Sequence, residues 1–130
     1  MAVLQLRDHA TSFVVVGDGT VPAPVVEINP DITIPSGATG YLTAFAFDLT
    51  RFAGCRIDYR LKNQSGGVRI GAMYIGVNTS EETSLTDHYT ETDDFNIQWS
   101  SEILREEMRL YYENGPGEKY INITVKYFPV

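Results

Sequence analysis

One cysteine, Cys55, is the whole thiol content of this 130-residue chain, so no disulfide can form within it. It lies in the apolar alternation Cys55, Ile57, Tyr59, Leu61. That setting predicts a small buried hydrophobe, because no histidine or basic cluster adjoins it to lower its pKa. Histidine is almost as scarce, with only His9 and His88. Asp8-His9 and Asp87-His88 each set a carboxylate beside an imidazole, but neighbours on a strand point to opposite faces, so neither pair is a natural chelate. Basic residues are also few. Ten Lys and Arg against seventeen Asp and Glu leave a net charge of −7. The phosphate backbone of nucleic acid repels such a surface, and anionic lipid does the same, so neither nucleic acid nor membrane is expected as a partner. No apolar run approaches the roughly 20 residues that span a bilayer. The first residues, MAVLQLRDHATSF, lack a basic stretch followed by a long apolar one. No signal peptide is read there, and synthesis in a cytoplasm is expected.

Sequence signatures of catalysis are missing too. Ser12, His9 and Asp8 lack the G-x-S-x-G elbow of a serine hydrolase. Gly115-Pro116-Gly117-Glu118-Lys119 lacks the G-K-[ST] ending of a phosphate loop and precedes a strand, which predicts a hairpin turn instead. The acidic stretch 78–94 has neither the D-x-[DN]-x-[DN]-G pattern nor any glycine to wrap the chain round calcium. Paired carboxylates for glycoside hydrolysis occur in any acidic β-protein and single out no residues. The chain is expected to be a non-enzyme without cofactor or metal.

What the sequence does contain is strand after turn after strand. Val3–Leu6 and Ser12–Val16 are apolar or β-branched runs, and Gly17-Asp18-Gly19 marks a turn. Pro22 and Pro24 bracket Val25–Ile28, which predicts an edge or irregular strand, and Asn29-Pro30-Asp31 reads as a further turn. Tyr41–Asp48 carries apolar groups in both phases, as a central strand of a sandwich would. Cys55–Leu61 alternates cleanly, with Arg56, Asp58 and Arg60 pointing to solvent. The glycine-bearing loop at residues 63–67 predicts a hairpin to Val68–Val77. In that second arm Val68, Ile70 and Ala72 share one phase, and Met73, Ile75 and Val77 the other, which predicts a bulge near Gly71. Residues 78–94 read as a long acidic loop. Phe95, Ile97 and Trp99 alternate again, residues 101–106 read as a helical turn, and strands follow from Met108 and from Tyr120 to Phe128. Most tyrosines and phenylalanines fall on alternating positions and are assigned to the core; of the consecutive Tyr111 and Tyr112, one must face away from the other. The expected fold is all-β: an antiparallel β-sandwich or jelly-roll-like barrel of nine or ten strands with one short helical turn at most. It forms one domain over residues 1–130, with 1–20 as an assembly arm or edge strand.

The order of segments from residue 54 to 128 adds a resemblance. Ile57-Asp58-Tyr59-Arg60-Leu61 is followed by Val68-Arg69-Ile70-Gly71 and Ile75-Gly76-Val77, then Asp87-His88-Tyr89-Thr90-Glu91-Thr92, then Phe95–Trp99, then Tyr111-Tyr112, a glycine turn and Tyr120–Tyr127. This resembles a β-domain of small structural proteins in tailed-bacteriophage virions. The motifs are short and mostly structural, and residues 1–53 have no counterpart. The resemblance implies a virion protein made in the host cytoplasm. It would be a capsid decoration (cement) protein bound to the major capsid protein or other virion proteins, or a tail or baseplate component. It also implies a homo-oligomer, with a trimer favoured. A carbohydrate-binding sandwich is the alternative class. The expected contact residues are Val3, Leu4 and Leu6, which would add to a neighbour's sheet edge. With them stand Glu81, Glu82, Asp87, Tyr89 and Glu91, an acidic surface for a basic partner.

Overall fold

The computed structural model describes residues 25–130. They form β1 (Val25–Ile34), β2 (Thr39–Asp48), β3 (Phe52–Asn63), β4 (Val68–Val77), β5 (Thr83–Glu91), β6 (Ile97–Leu104), β7 (Glu107–Asn114) and β8 (Lys119–Pro129). Two antiparallel sheets result, one of five strands in the order β1-β8-β3-β4-β5 and one of three in the order β2-β7-β6. Their inner faces share one apolar core, so the expected sandwich is formed. The sheets do not join into a barrel.

β3 is the centre of the larger sheet, paired over its length with β8 and β4. Cys55, Ile57, Tyr59 and Leu61 are buried, and the residues between them are exposed. Opposite them β8 contributes Ile121, Ile123 and Val125, and the smaller sheet contributes Leu42, Phe45, Phe47, Met108 and Leu110. Burial pushes the Cys55 thiol up to about 12, which keeps it protonated and inert. Trp99 packs between Tyr59 and Tyr112, with ring centroids 6.1 and 6.4 Å away. Tyr111 faces the other way, edge-on to Tyr41 at 5.6 Å.

Several sequence expectations are corrected. No helix occurs among the described residues. The segment expected to be a helical turn is the end of β6 and a tight hairpin. Leu104 pairs with Glu107, leaving Arg105 and Glu106 as a two-residue loop at φ 53° and 66°. Positive φ at both positions is the geometry that matches the twist of a hairpin, and it overrides the helix propensity of Glu and Arg. β2 is an edge strand, not a central one. Its register against β7 slips between Tyr41 and Ala46. Leu42 and Phe45, of opposite phase, are therefore both buried. β1 is an edge strand as its prolines predict, but Asn29-Pro30-Asp31 lies inside it, at a register shift between Ile28 and Ile32. No bulge breaks β4, which keeps unbroken register with both neighbours. Gly71 instead fills an inward position where a Cβ would lie 3.0 Å from the Tyr59 ring and 2.6 Å from the His88 carbonyl oxygen. Eight strands form among the described residues; the expected strands Val3–Leu6 and Ser12–Val16 lie outside them. Residues 113–117 are no hairpin either, because β7 and β8 belong to different sheets.

Candidate functional site

The segment expected to be an acidic loop is a turn and an edge strand. Asn78 builds the turn. Its Oδ1 accepts from the backbone N–H of Ser80 and of Glu82, both at 2.9 Å, and its Nδ2 donates to Glu82 Oε1 at 2.8 Å. Glu81 sits at the tip with φ 59°. From Thr83 to Glu91 the chain pairs residue for residue with β4. Ser84, Thr86, His88 and Thr90 face solvent. The inward positions are Thr83, Leu85, Asp87, Tyr89 and Glu91. At the near end the Thr83 and Ser101 hydroxyls bond to each other, tying β5 to β6 across the seam between the sheets.

The inward acids are explained by Arg69, a residue that period-two reasoning overlooked. Arg69 is only 3% exposed. Its Nε donates to Glu91 Oε2 at 2.9 Å, and its Nη1 lies 4.0 Å from Asp87 Oδ2. Tyr59 donates its hydroxyl to Asp87 Oδ1 at 2.9 Å. The face of Tyr89 covers the guanidinium at 3.9 Å, and Phe95 lies 5.8 Å away. A buried cation is tolerated only with such partners. Burial works against its charge, but Glu91 and Tyr59 raise the Arg69 pKa overall. Burial also raises Asp87 above the usual carboxylate value, in spite of Tyr59 and Arg69. Burial and the bond to Asp87 push the Tyr59 hydroxyl far up. Arg69 on β4 and Tyr59 on β3 thus hold Asp87 and Glu91 of β5, and the arrangement ties β5 to the body of the sandwich.

A second buried cation was also missed. Lys119 is 2% exposed. Its ammonium donates to Asn114 Oδ1 at 2.5 Å and to the carbonyl oxygens of Gly117 at 3.0 Å and Pro116 at 3.1 Å. Burial lowers its pKa. These bonds hold the connection that carries the chain from β7 to β8.

The structure thus brings Asp87, Tyr89 and Glu91 together around Arg69 and leaves Glu81 and Glu82 apart in the turn. Val3, Leu4 and Leu6, like the whole 1–20 arm, lie outside the described residues. His88 is on the outer face, edge-on to Tyr74 at 6.3 Å. No group of three or more metal-ligating His, Cys, Asp or Glu side chains converges among the described residues. No helix among them is long and apolar enough to cross a membrane. An apolar cleft of about 450 Å³ opens at one end of the sandwich, floored by Leu49, Phe52, Ala53 and Val77 and rimmed by Glu81 and Glu106. Its polar lining is Thr50, Asn78, Thr79 and the two glutamates. The remaining features are the outer sheet faces, where Ile70, Tyr74 and Phe128 are 54%, 42% and 41% exposed. Comparison of this chain with family models, with curated proteins and with solved structures finds no match.

Proposed function

We propose that this chain is a structural protein of a tailed-bacteriophage virion, a capsid decoration protein that stabilises the head through contacts between subunits. The observation that carries the reading is the division of labour in the fold. The interior is closed by its own apolar and ionic contacts, while large apolar side chains stand exposed on the outer sheet face. Such a body suits multivalent contact, in which several modest interfaces add up. The resemblance of residues 54–128 to small virion β-domains supplies the class. Its partners are the major capsid protein or other virion proteins, and further copies of itself.

The contact residues narrow in the light of the geometry. Asp87 and Glu91 are committed to Arg69 and Tyr59, so the acidic contact reduces to Glu81, Glu82 and the half-exposed Tyr89 ring. Val3, Leu4 and Leu6 retain their proposed role of adding to a neighbour's sheet edge.

The test mixes purified protein with particles lacking it and sediments them. Binding at a saturating ratio, weakened by deleting residues 1–10, supports the proposal. Staining relative to the major capsid protein separates a decoration protein, at hundreds of copies, from the tail or baseplate alternative at far fewer. One observation favours a carbohydrate-binding module instead. Tyr74 stands on a flat face two strands from Asn122, with Asp58 and Arg60 between, a layout suited to stacking a sugar. Against it, the Arg56 guanidinium already lies 5.6 Å from that ring. Retention on immobilised glycans without binding to particles makes this second reading the better one.

A further inference from the structure

The two outer faces of the sandwich differ in charge. On the five-stranded sheet, β3 and β8 present Arg56, Arg60, Lys62 and Lys126, against Asp58 and the β1 residue Asp31. Four of the chain's ten basic residues stand on this one face, giving it a sum of +2. On the three-stranded sheet the outward positions hold Asp48, Glu102, Glu107 and Glu113 against Arg109 alone, a sum of −3. In a chain of net charge −7, a basic face is a local departure. It coincides with the exposed Ile70, Tyr74 and Phe128. The acidic face carries apolar surface as well, in Leu104 (40% exposed) and the Tyr41–Tyr111 pair.

We infer that copies of this chain associate head to tail, the basic outer face of one five-stranded sheet seated on the acidic outer face of the next copy's three-stranded sheet. The occupant is a second copy because both complementary surfaces belong to the same molecule. Overall repulsion between acidic chains falls off within about 8 Å at physiological salt, so charges in direct apposition decide the contact. The two faces look in opposite directions. A contact between unlike surfaces of this kind repeats as an open stack or a large ring. A closed trimer requires two contact faces that converge on a common axis, whereas these two lie back to back. The three-stranded face offers about 400 Å² to a partner at ordinary strand spacing and rise. That is about half of what a stable interface contributes per partner, so each contact is weak and strengthens where copies are concentrated.

The experiment uses two charge-reversed variants of the full chain in sedimentation velocity over a concentration series. Arg60→Glu with Lys126→Glu makes both faces acidic. Glu102→Lys with Glu113→Lys turns the acidic face basic. All four positions lie on outer faces, so folding is preserved, and circular dichroism of each variant checks it. The wild type is expected to form higher species as concentration rises toward about 1 mM. Each variant alone is expected to associate at least about tenfold more weakly. An equimolar mixture of the two is expected to recover association, because each now meets the opposite charge. A wild type that stays monomeric throughout overturns the inference, and so does a mixture no better than its components or a trimer indifferent to both reversals. The inference does not depend on the virion proposal. A chain that stacks but ignores phage particles keeps the one and loses the other.

Discussion

β3 and β5 belong to the same sheet, two strands apart, and bury their inner faces by opposite means. β3 inserts Cys55, Ile57, Tyr59 and Leu61 into apolar surroundings. β5 inserts Asp87, Tyr89 and Glu91 against a buried arginine. The first stabilises the fold through area removed from water, which is non-directional and tolerant of small shifts. The second depends on partners at fixed positions, because an unpaired buried charge costs several kcal/mol. The larger sheet is therefore dry on one side and ionic on the other, and its ionic edge is where losing the arginine or Glu91 does harm.

The largest expected effect lies on the dry side. Ile57 is fully buried between strands β4 and β8. Ile57→Asp places a carboxylate there without a partner, at a cost of about 4 kcal/mol or more. With a total stability of roughly 5–15 kcal/mol, the domain is expected to be largely unfolded in thermal or urea melts. Arg56→Asp, on the adjacent outward position, is expected to lose no more than about 1 kcal/mol. Similar losses from both would show that the assigned faces of β3 are wrong.

The same contrast decides what could be read from the sequence. β3, the hairpin to β4, the buried Cys55 and the edge position of β1 were all legible, because apolar residues at period two mark an inner face directly. β5 was not, because its inward residues are those that usually mark a loop. Its assignment needs Arg69, whose inward place is hidden by the apolar Val68, Ile70 and Ala72 on the other phase. Extending the inward phase of Met73, Ile75 and Val77 backwards reaches Gly71 and Arg69 without a break. A charge on an inner phase, followed by acids on an unassigned stretch, was the available signal. The Arg105-Glu106 hairpin hid for another reason. Good helix formers occupy a turn whose geometry is set by the twist of β6 and β7, which is tertiary information.

The next effect lies on the ionic side. Arg69→Leu leaves Glu91 and Asp87 without their cation and is expected to cost about 3 kcal/mol. Glu91→Gln keeps the shape and removes one charge, with an expected loss of about 1–3 kcal/mol. In both variants the damage is expected to be local. Amide exchange in β5 and the adjoining edge of β4 should accelerate while β3 and β8 stay protected. Uniform acceleration through both sheets would mean that the ionic cluster supports the whole sandwich and that the two sides are not separable.

The smallest effect isolates the sign of one charge. Burial raises the Asp87 carboxyl above its ordinary value of 3.8, although Tyr59 and Arg69 favour the charged form. A carboxylate raised on folding binds its proton more tightly in the native state than in the unfolded one. As pH rises from the unfolded value through the raised folded value, the native state therefore loses stability, and that loss persists at neutral pH. Asp87→Asn removes the titration while leaving an oxygen to accept the Tyr59 hydroxyl. The variant is expected to equal or exceed the parent at pH 7, by up to about 1 kcal/mol. The gap should close as pH falls through the raised value, where the parent carboxyl is also neutral. Urea melts of both proteins from pH 7 down to about 4 give the measurement. If Asp87→Asn is clearly less stable at pH 7, the attraction of Arg69 at 4.0 Å outweighs burial. Asp87 then belongs with Glu91 as a necessary counter-ion, and the ionic edge holds its arginine with two full charges.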